Sequence, residues 1–567
     1  MKLNVKLLVL GACLLMARPL FAQNIFLELN LNNQKTGSLM RSIRQKTDLE
    51  LFRVIEQAGN NRNISGIILN ISACQLGQET IWELRNSLEK FKAKGKKVCA
   101  FISNTDIDLY YLATAADKIV MDDQGVLTLL GYAWGRGYVK HSLEKLGIGA
   151  RELRYLQFKS AAETYTRDSL SDADRVQYGE ILDDIMGITR DAVTKARSWT
   201  NGEFDTIINN EFMFSARSAL ARGLVDRNGR KEAVLEAVKE ISDGKEAGYF
   251  LLYGDSESSV TGSKLPYKLA KAGGFFSRPP IIAVIYANGV TDMEQGIAAW
   301  ALSDTIRELS EKNRVRAIVL RINSSGGSAE AADYVAEAIK AAKERVPVVV
   351  SMGAVAASGG YWASMSANRI VATPVTLTGS IGVIASWFYD NGLNSKLGLS
   401  VDTIQRGAHA DMMTGMILPR RDLRPEEEAR YKEYVLDLYG DFTHRVAANR
   451  GMDIERVESL AQGRVYSGLG ALKAGLIDNI GGIDDAIQIA RELANIPDNI
   501  NIAVNEYPKP KFFDRLLERL FSARVSGLGK TSVINTAADL FFPVPLLEDL
   551  CYRIERNGQV MPILPLD

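Results

Sequence analysis

The pattern of apolar and small residues in the second half of the chain predicts two consecutive units in which a strand leads through a turn into a helix. A β-branched run at residues 348–350 is typical of a buried strand, and the segment AVAASGGYWASMSA that follows lets a helix begin close to other backbone. Upstream, residues 317–322 predict a second strand, which leads through the Gly-rich turn 324–327 into an amphipathic helix. Each turn offers backbone N–H groups where a strand gives way to a helix.

The same pattern occurs twice along the chain. Three pairs of segments match: GIILNIS at 66–72 with AIVLRIN at 317–323, YYLATAADKIV at 110–120 with YWASMSANRIV at 361–371, and SARSALARGLVD at 215–226 with SGLGALKAGLID at 467–478. The offset is 251 residues for the first two pairs and 252 for the third. Matches at a nearly constant offset indicate an internal duplication of one domain built from strands and helices.

The duplication predicts the domain organisation of the chain. We expect a signal peptide or membrane anchor at 1–22, an N-terminal repeat at 23–242, a linker rich in Gly, Ser and Lys at 243–278, a C-terminal repeat at 279–500 and a helical tail at 501–567. The tail has apolar residues at helical spacing, which favours packing on the second repeat and leaves a partner or membrane surface open.

The first residues resemble an export signal. Lys2 and Lys6 precede an apolar run at 7–17, which is shorter than the roughly 20 residues that span a bilayer. A secretory signal cleaved near Ala22 fits this pattern, while an uncleaved anchor and a lipoprotein site at Cys13 stay open. All three interpretations place the body of the protein outside the cytoplasm.

Ser358 is the candidate nucleophile. It precedes Gly359 and Gly360 at the predicted start of a helix, where free backbone N–H groups lie beside its hydroxyl. The amides of Gly359 and of the Gly326-Gly327 turn are candidates to stabilise the negative charge that develops on a bound carbonyl, which is how acyl-transfer nucleophiles are presented. The same small residues also allow a helix to pack tightly on a sheet with no chemistry, so the motif alone leaves both interpretations open.

Three motifs together give a resemblance to a known family. They are NSSGGS at 323–328, SMGAVAASGGYW at 351–362 and TLTGSIGV at 376–383. In this order they resemble the signal peptide peptidase A family, in its long two-repeat form, within the ClpP/crotonase-like superfamily. The resemblance covers residues from about 24 to 500, and it implies an α/β fold of two tandem ClpP/crotonase-like spiral ββα domains.

The resemblance also implies the roles of individual residues. The serine of the ASGGYW motif is the family's nucleophile, which corresponds to Ser358, and the family uses a lysine as the base. The repeat offset places Ile107 opposite Ser358, and Ala410 opposite Lys159 of the segment FKSAAE. Each repeat therefore holds one half of the pair, and Lys159 matches the lysine that the long form takes from its first repeat. Ser380 in TGSIG matches a family serine that orients the lysine.

A lysine serves as a base only if its pKa falls. An exposed ammonium group has a pKa of about 10.4, which is too high for a base near neutrality. Desolvation favours the neutral amine and lowers this value by several units. We therefore expect Lys159 to be buried beside Ser358 and to accept the proton of its hydroxyl.

Function, partners and location follow from the resemblance as expectations. The family implies a serine endopeptidase that degrades cleaved signal peptides and other extended peptides at the membrane. It also implies a homo-oligomer, typically a tetramer, on the outer (periplasmic or extracytoplasmic) face of the cell membrane. An export signal is consistent with this location.

Composition limits the alternatives. Lys plus Arg and Asp plus Glu both number 68, so no basic excess favours nucleic acid. The four cysteines form no CxxC pair and the three histidines form no cluster with them, so we expect no metal and no cofactor. His409 and His444 allow a histidine base as a weaker interpretation. Two other functions stay open: an acyl-CoA enzyme of the crotonase type, which would use the same turns without a nucleophilic serine, and a catalytically inactive scaffold.

Overall fold

The computed structural model describes residues 24–32, 48–72, 74–245, 248–253 and 279–508. These residues form two compact units. The first unit contains the described residues up to 131 and those from 188 to 253. The second unit contains residues 132–187 and 279–508. The predicted leader at 1–22 and the tail beyond residue 508 lie outside the described residues.

The elements are given in chain order. The strands are β1 Ile25–Asn30, β2 Ile64–Asn70, β3 Lys97–Ile102, β4 Lys118–Met121, β5 Val126–Thr128, β6 Ile148–Leu153, β7 Met213–Ser215, β8 Arg227–Asn228, β9 Gly248–Tyr253, β10 Ile281–Asn288, β11 Val315–Ser324, β12 Val348–Ala357, β13 Arg369–Ala372, β14 Leu377–Gly379, β15 Ala385–Asp390, β16 Val465–Ser467, β17 Asn479–Ile480 and β18 Ala503–Tyr507. The helices are α1 Asp48–Asn60, α2 Gln78–Ala93, α3 Ile107–Ala113, α4 Lys140–Leu146, α5 Glu163–Thr166, α6 Asp172–Arg197, α7 Asn201–Thr206, α8 Ala216–Ala221, α9 Lys231–Ile241, α10 Ala299–Glu311, α11 Ala329–Lys343, α12 Gly359–Ser364, α13 Leu393–Lys396, α14 Pro425–Arg450, α15 Ile454–Leu460, α16 Gly468–Ala474 and α17 Ile483–Leu493, with a π-helical turn at Ile207–Glu211.

The first unit is built on a parallel six-stranded sheet in the order β8–β4–β3–β2–β1–β9. Its strands are apolar, because helices cover a parallel sheet and leave few of its positions in contact with water. Phe26, Ile68, Cys99 and Val120 come from four neighbouring strands and pack in one cluster with Val234 of α9. A separate antiparallel pair joins β5 and β7.

The second unit is built on an eight-stranded sheet that runs β16–β14–β12–β11–β10–β18, with β13 beside β12 and β17 beside β13. All its pairs are parallel except β14–β16. Ile318 and Leu320 of β11 lie in the same apolar core as Ile306 of α10 and Val335 and Ile339 of α11. Complete burial of each such side chain contributes roughly 1.5–3 kcal/mol to folding.

The structure confirms the two predicted strand-turn-helix units. Residues 317–322 lie in β11 and residues 348–350 lie in β12. The predicted amphipathic helix is α11, which begins after Ser328, whose Oγ accepts a hydrogen bond from the Ala331 N–H at 3.3 Å. Because β11 and β12 are parallel neighbours, the turns that follow them lie at the same edge of the sheet.

The two units share one buried tyrosine hydrogen bond, which follows from the duplication. In the first unit the Tyr110 hydroxyl donates a hydrogen bond to the Leu224 carbonyl at 2.8 Å. In the second unit the Tyr361 hydroxyl donates to the Leu476 carbonyl at 2.9 Å. These tyrosines are 251 residues apart and their acceptors 252, so the sequence match corresponds to the same buried contact in both copies.

The compact units do not coincide with the sequence repeats. Residues 132–187 belong by sequence to the predicted repeat at 23–242, yet they are part of the second unit. Within that unit β6 pairs antiparallel with β15, from Ile148 opposite Asp390 to Leu153 opposite Ala385. The segment that carries Lys159 therefore folds with the unit that carries Ser358.

None of the helices described is both long enough and apolar enough to cross a membrane.

Candidate active site

Ser358 lies in a strained turn between β12 and α12. Its φ of 54° and ψ of −117° are unusual for a residue other than glycine, and such a conformation costs about 1–3 kcal/mol. The turn is held because the Ser358 N–H donates to the Gly379 carbonyl and the Ser358 carbonyl accepts from the Trp362 N–H, both at 2.9 Å. Gly360 lets α12 begin here, since a Cβ on it would lie 2.6 Å from the Ser324 carbonyl oxygen.

Lys159 contacts the Ser358 hydroxyl directly. Its Nζ lies 2.9 Å from Ser358 Oγ, although the two residues are 199 positions apart in the chain. Lys159 is the central residue of a three-residue turn that is closed by the Ser160 N–H, which donates to the Phe158 carbonyl at 2.9 Å. The structure therefore brings together the predicted serine and the predicted lysine.

Ser380 completes the surroundings of the amine. Lys159 Nζ lies 2.9 Å from the Ser380 carbonyl oxygen and 3.0 Å from Ser380 Oγ. Ser380 follows β14, has a φ of 49°, and donates its own N–H to the Arg464 carbonyl at 2.7 Å. The residue is thus fixed by its backbone while its two oxygens face the lysine.

The electrostatic surroundings favour a neutral amine. Lys159 is only 1% exposed and Ser358 and Ser380 are equally buried. Burial lowers the pKa of Lys159 well below its ordinary value, because the charged ammonium loses its hydration. Among the residues that the structure describes, no carboxylate forms an ion pair with Lys159 to offset that loss.

The Gly-rich turn after β11 approaches the start of α12. The Thr291 N–H donates to the Gly326 carbonyl at 2.8 Å, and the Thr291 carbonyl accepts from the Ser328 N–H at 2.7 Å. This clamp holds the Gly327 nitrogen 3.2 Å from the position that a Cβ on Gly359 would occupy. The two turns therefore converge beside Ser358, as their place at one edge of the sheet requires.

The three predicted amides differ in their hydrogen bonds. The Gly326 N–H donates to Ser324 Oγ at 3.3 Å. In the part of the chain that the structure describes, the N–H groups of Gly327 and Gly359 have no acceptor. Both amides are available to an oxygen atom that enters the site.

Sequence reasoning missed Gly463. A Cβ on this residue would lie 2.5 Å from Lys159 Cβ and 2.7 Å from Lys159 Cα, and its φ is +80°. The neighbouring Gln462 carbonyl accepts the Phe158 N–H at 2.9 Å, so the two backbones run in direct contact. A lone glycine in the segment AQGRVY gives no signal that it supports a lysine about 300 positions earlier.

Sequence reasoning also missed a group of buried polar residues that contact the turn at 158–160, in which Lys159 lies. They are Arg136, Glu163, Asp174 and Gln177. Charged residues in a stretch such as GYAWGRGYV are normally solvated, so no local pattern identifies them.

The first unit lacks the corresponding groups. Ile107 occupies the position equivalent to Ser358 and begins α3. The preceding Asp106 caps this helix, since its Oδ1 accepts from the Leu109 N–H at 2.9 Å. Gln75 and Leu76 occupy the positions equivalent to Gly326 and Gly327.

The two histidines that the sequence left as alternatives have other contacts. His409 Nδ1 lies 2.9 Å from a Glu427 carboxylate oxygen. His444 is exposed, and its Nδ1 lies 2.7 Å from the Gly440 carbonyl oxygen within α14. Ser358 Oγ instead contacts the lysine.

Comparison with known proteins identifies the family of the chain. The family model for peptidase family S49 matches residues 90–245 and 340–497, and the model for Clp protease matches residues 289–376. The chloroplastic serine protease SPPA of Arabidopsis thaliana is 30% identical over 462 residues, which cover 80% of this chain and 67% of that protein. Protease 4 of Salmonella typhi is 31% identical over 483 residues, covering 82% and 75% respectively. A putative signal peptide peptidase SppA of Enterococcus faecium is 37% identical over 194 residues, covering 34% and 55%.

The matches confirm the family, the fold and the peptidase activity that the motifs imply. Two separate S49 matches confirm the internal duplication, and the Clp protease match confirms a ClpP-like α/β fold. They support peptidase activity and not the acyl-CoA enzyme or the inactive scaffold. The chain therefore belongs to peptidase family S49 and is a serine peptidase.

Proposed function

We propose that the chain is an endopeptidase in which the Ser358 hydroxyl is the nucleophile and the Lys159 amine is the general base. The observation that carries this proposal is the 2.9 Å distance between Nζ and Oγ inside a buried site. A base must lie within hydrogen-bond reach of the proton that it accepts, and its pKa must fall towards the working pH. Lys159 meets the first condition by its position and the second by its burial.

The three contacts of Nζ match the hydrogen-bonding capacity of a neutral amine. A neutral amine has two N–H donors and one lone pair, whereas an ammonium group has three donors and no acceptor. The Ser380 carbonyl and hydroxyl oxygens accept the two N–H groups. The lone pair then accepts the Ser358 hydroxyl proton, so Ser380 acts as the residue that orients the lysine.

Catalysis then proceeds in two acyl-transfer stages. As Ser358 Oγ attacks the peptide carbonyl carbon, its proton moves to Lys159 Nζ. The tetrahedral intermediate collapses when the C–N bond breaks, and Nζ returns the proton to the leaving amine. A water molecule next gives a proton to Nζ and attacks the ester carbon. The proton returns to Ser358 Oγ as the acid product leaves.

The oxyanion of each tetrahedral intermediate requires hydrogen-bond donors that are already in position. We assign this role to the amides of Gly359 and Gly327, which converge beside Ser358. The amide of Gly326 is engaged by Ser324 Oγ, so in the ground state Gly326 contributes chiefly the shape of the turn, at a φ of 109°. Loss of one such donor typically reduces the rate by about 10²–10³-fold.

The substrates that we propose are cleaved signal peptides and other extended peptides at the membrane. One matched relative is named a putative signal peptide peptidase, which supports this class. Ser358 is fully buried, so an extended segment is better able to reach it than a folded domain.

We also propose a homo-oligomer, specifically a tetramer, at the outer face of the cell membrane. The apolar run after Lys2 and Lys6 supports export. The resemblance to the long two-repeat form of the family supports the oligomer. Sedimentation of the full chain extracted from membranes should give a species of four chains, whereas a soluble monomer would contradict this proposal.

Removal of either member of the pair should abolish activity. We expect Ser358→Ala and Lys159→Ala to lose nearly all turnover of an apolar signal peptide, because the nucleophile and its base act as one unit. Initial rates, with circular dichroism to establish folding, test this. His444→Gln is the control and should keep the rate of the unaltered chain. Full turnover in a folded Lys159→Ala variant would mean that the base is another residue.

Activity should rise with pH. Only the deprotonated amine accepts the serine proton, so kcat/KM increases as pH rises through the pKa of Lys159 in the free enzyme. Because burial lowers that pKa, the midpoint should lie well below the ordinary lysine value of about 10.4. A pH profile of kcat/KM measures the midpoint. A rate that is independent of pH, or that falls as pH rises over this range, would contradict a lysine base.

Gly463→Ala should displace the lysine. The added Cβ would overlap the Lys159 backbone at 2.5–2.7 Å, and a displacement of about 1 Å costs about 10²-fold in kcat. Gly451→Ala is a matched control, because its φ of +63° imposes similar backbone strain while a Cβ there meets nothing within 4 Å. We expect Gly451→Ala to reduce stability and to keep kcat. Equal kcat in both variants would show that Gly463 does not support the lysine.

A further inference from the structure

The three-residue turn at 158–160, here called the lysine turn, lies in irregular backbone between β6 and α5. No ladder of helix or strand hydrogen bonds fixes it. The position of Lys159 Nζ therefore depends on what holds Phe158 and Ser160 on either side. A shift of about 1 Å at the reacting atoms is enough to lower a rate about 10²-fold.

Arg136 holds the Ser160 side of the lysine turn. Its guanidinium donates to the Ser160 carbonyl at 2.6 Å and lies 3.3 Å from Ser160 Oγ. Asp174, in the first turn of α6, pairs with the same guanidinium at 3.1 Å, and the Glu163 carboxylate lies 3.8 Å from it. The Arg136 side chain is 3% exposed and both carboxylates are fully buried.

Gln177 holds the Phe158 side and connects it to the sheet. Its Nε2 donates to Asp174 at 2.6 Å and lies 3.4 Å from the Phe158 carbonyl oxygen. Its Oε1 accepts the Val465 N–H at 3.0 Å. Val465 pairs with Gly379, the residue before Ser380. Gln177 thus joins the lysine turn to the β14–β16 pair. Ser380, which also contacts the amine, directly follows β14.

Stability alone does not account for buried charges in this place. Withdrawal of a guanidinium and two carboxylates from water costs several kcal/mol per ion, and apolar residues of similar volume often stabilise a fold equally well. The guanidinium of Arg136 supplies a fork of N–H donors with fixed geometry, and these donors reach two atoms of Ser160. The contacts of that fork end on the neighbour of Lys159.

We infer that Arg136, Asp174 and Gln177 are positioning residues, which fix the lysine turn so that the Lys159 amine stays desolvated and within reach of Ser358. This inference rests on the proposed function, since it assumes that Lys159 is the base. The three residues touch neither the serine nor the substrate carbonyl, and they act through the backbone of residues 158–160.

The test compares four variants of the full chain. Arg136→Met removes the fork, Arg136→Lys keeps the charge without the fork, and Gln177→Leu removes the second contact. Arg197→Met is the matched control, because Arg197 is also a largely buried arginine, 11% exposed, paired with Asp226 at 3.3 Å in the first unit. Each variant is measured for kcat, KM, the pH midpoint of kcat/KM and thermal unfolding.

We expect Arg136→Met to lower kcat about 10²-fold with KM within about twofold, since substrate contacts are unchanged. The pH midpoint should move upwards, because a loosened lysine turn admits water and hydration restores the ammonium form. Arg136→Lys should recover part of kcat, and Gln177→Leu should change kcat and the midpoint in the same direction as Arg136→Met. Arg197→Met should change only thermal unfolding.

The outcomes separate this inference from the proposed function. Unchanged kcat and midpoint in folded Arg136→Met, or in folded Gln177→Leu if Arg136→Met does not fold, would overturn the positioning role even where Lys159→Ala is inactive. A shift of the midpoint in Arg197→Met equal to that in Arg136→Met would also overturn it, as a general effect of destabilisation. Full turnover in Lys159→Ala would overturn the proposed function, and the inference with it.

Discussion

The burial of one amine without a carboxylate beside it is the constraint on which the rest of the site depends. Desolvation disfavours the ammonium form of Lys159, and three neutral oxygen atoms at 2.9–3.0 Å satisfy the neutral amine. A carboxylate in their place would restore the charge and remove the proposed base. Asp174 and Glu163 instead pair with Arg136 and Arg154, and neither carboxylate contacts the amine.

This arrangement requires strained backbone close to the amine. Three residues other than glycine have positive φ values there: Ser358 at 54°, Ser380 at 49° and Gln462 at 57°. Each such conformation costs about 1–3 kcal/mol and persists only where the surrounding structure determines it. Here the sheet determines these conformations. The Gly379 carbonyl of β14 accepts the Ser358 N–H, and β14 pairs with β16, which follows Gln462.

Local sequence patterns were sufficient for the strands β11 and β12, the helix α11 and the turn that carries Ser358, because these depend on periodicity and on glycines within a few residues. The family resemblance and the repeat offset then identified Lys159. Neither predicted that residues 132–187 would fold with the second unit, because the β6–β15 pairing joins segments more than 200 positions apart. Arg136 and Gln177 were missed for the same reason, since their partners are set by tertiary packing.

The duplication accounts for the division of the proposed serine–lysine pair between the two copies. Both copies keep contacts that stabilise the fold: the Asp226 carboxylate accepts the Ile119 N–H, and the Asp478 carboxylate accepts the Ile370 N–H, each at 2.7 Å. A strained serine turn in the first copy would lower stability and would add nothing to the site, because the lysine contacts Ser358 of the second copy. There α3 begins instead after Asp106, a capping residue with an ordinary φ of −94°. Loss of the unused half-site thus relieves strain, which favours one composite site over two complete ones.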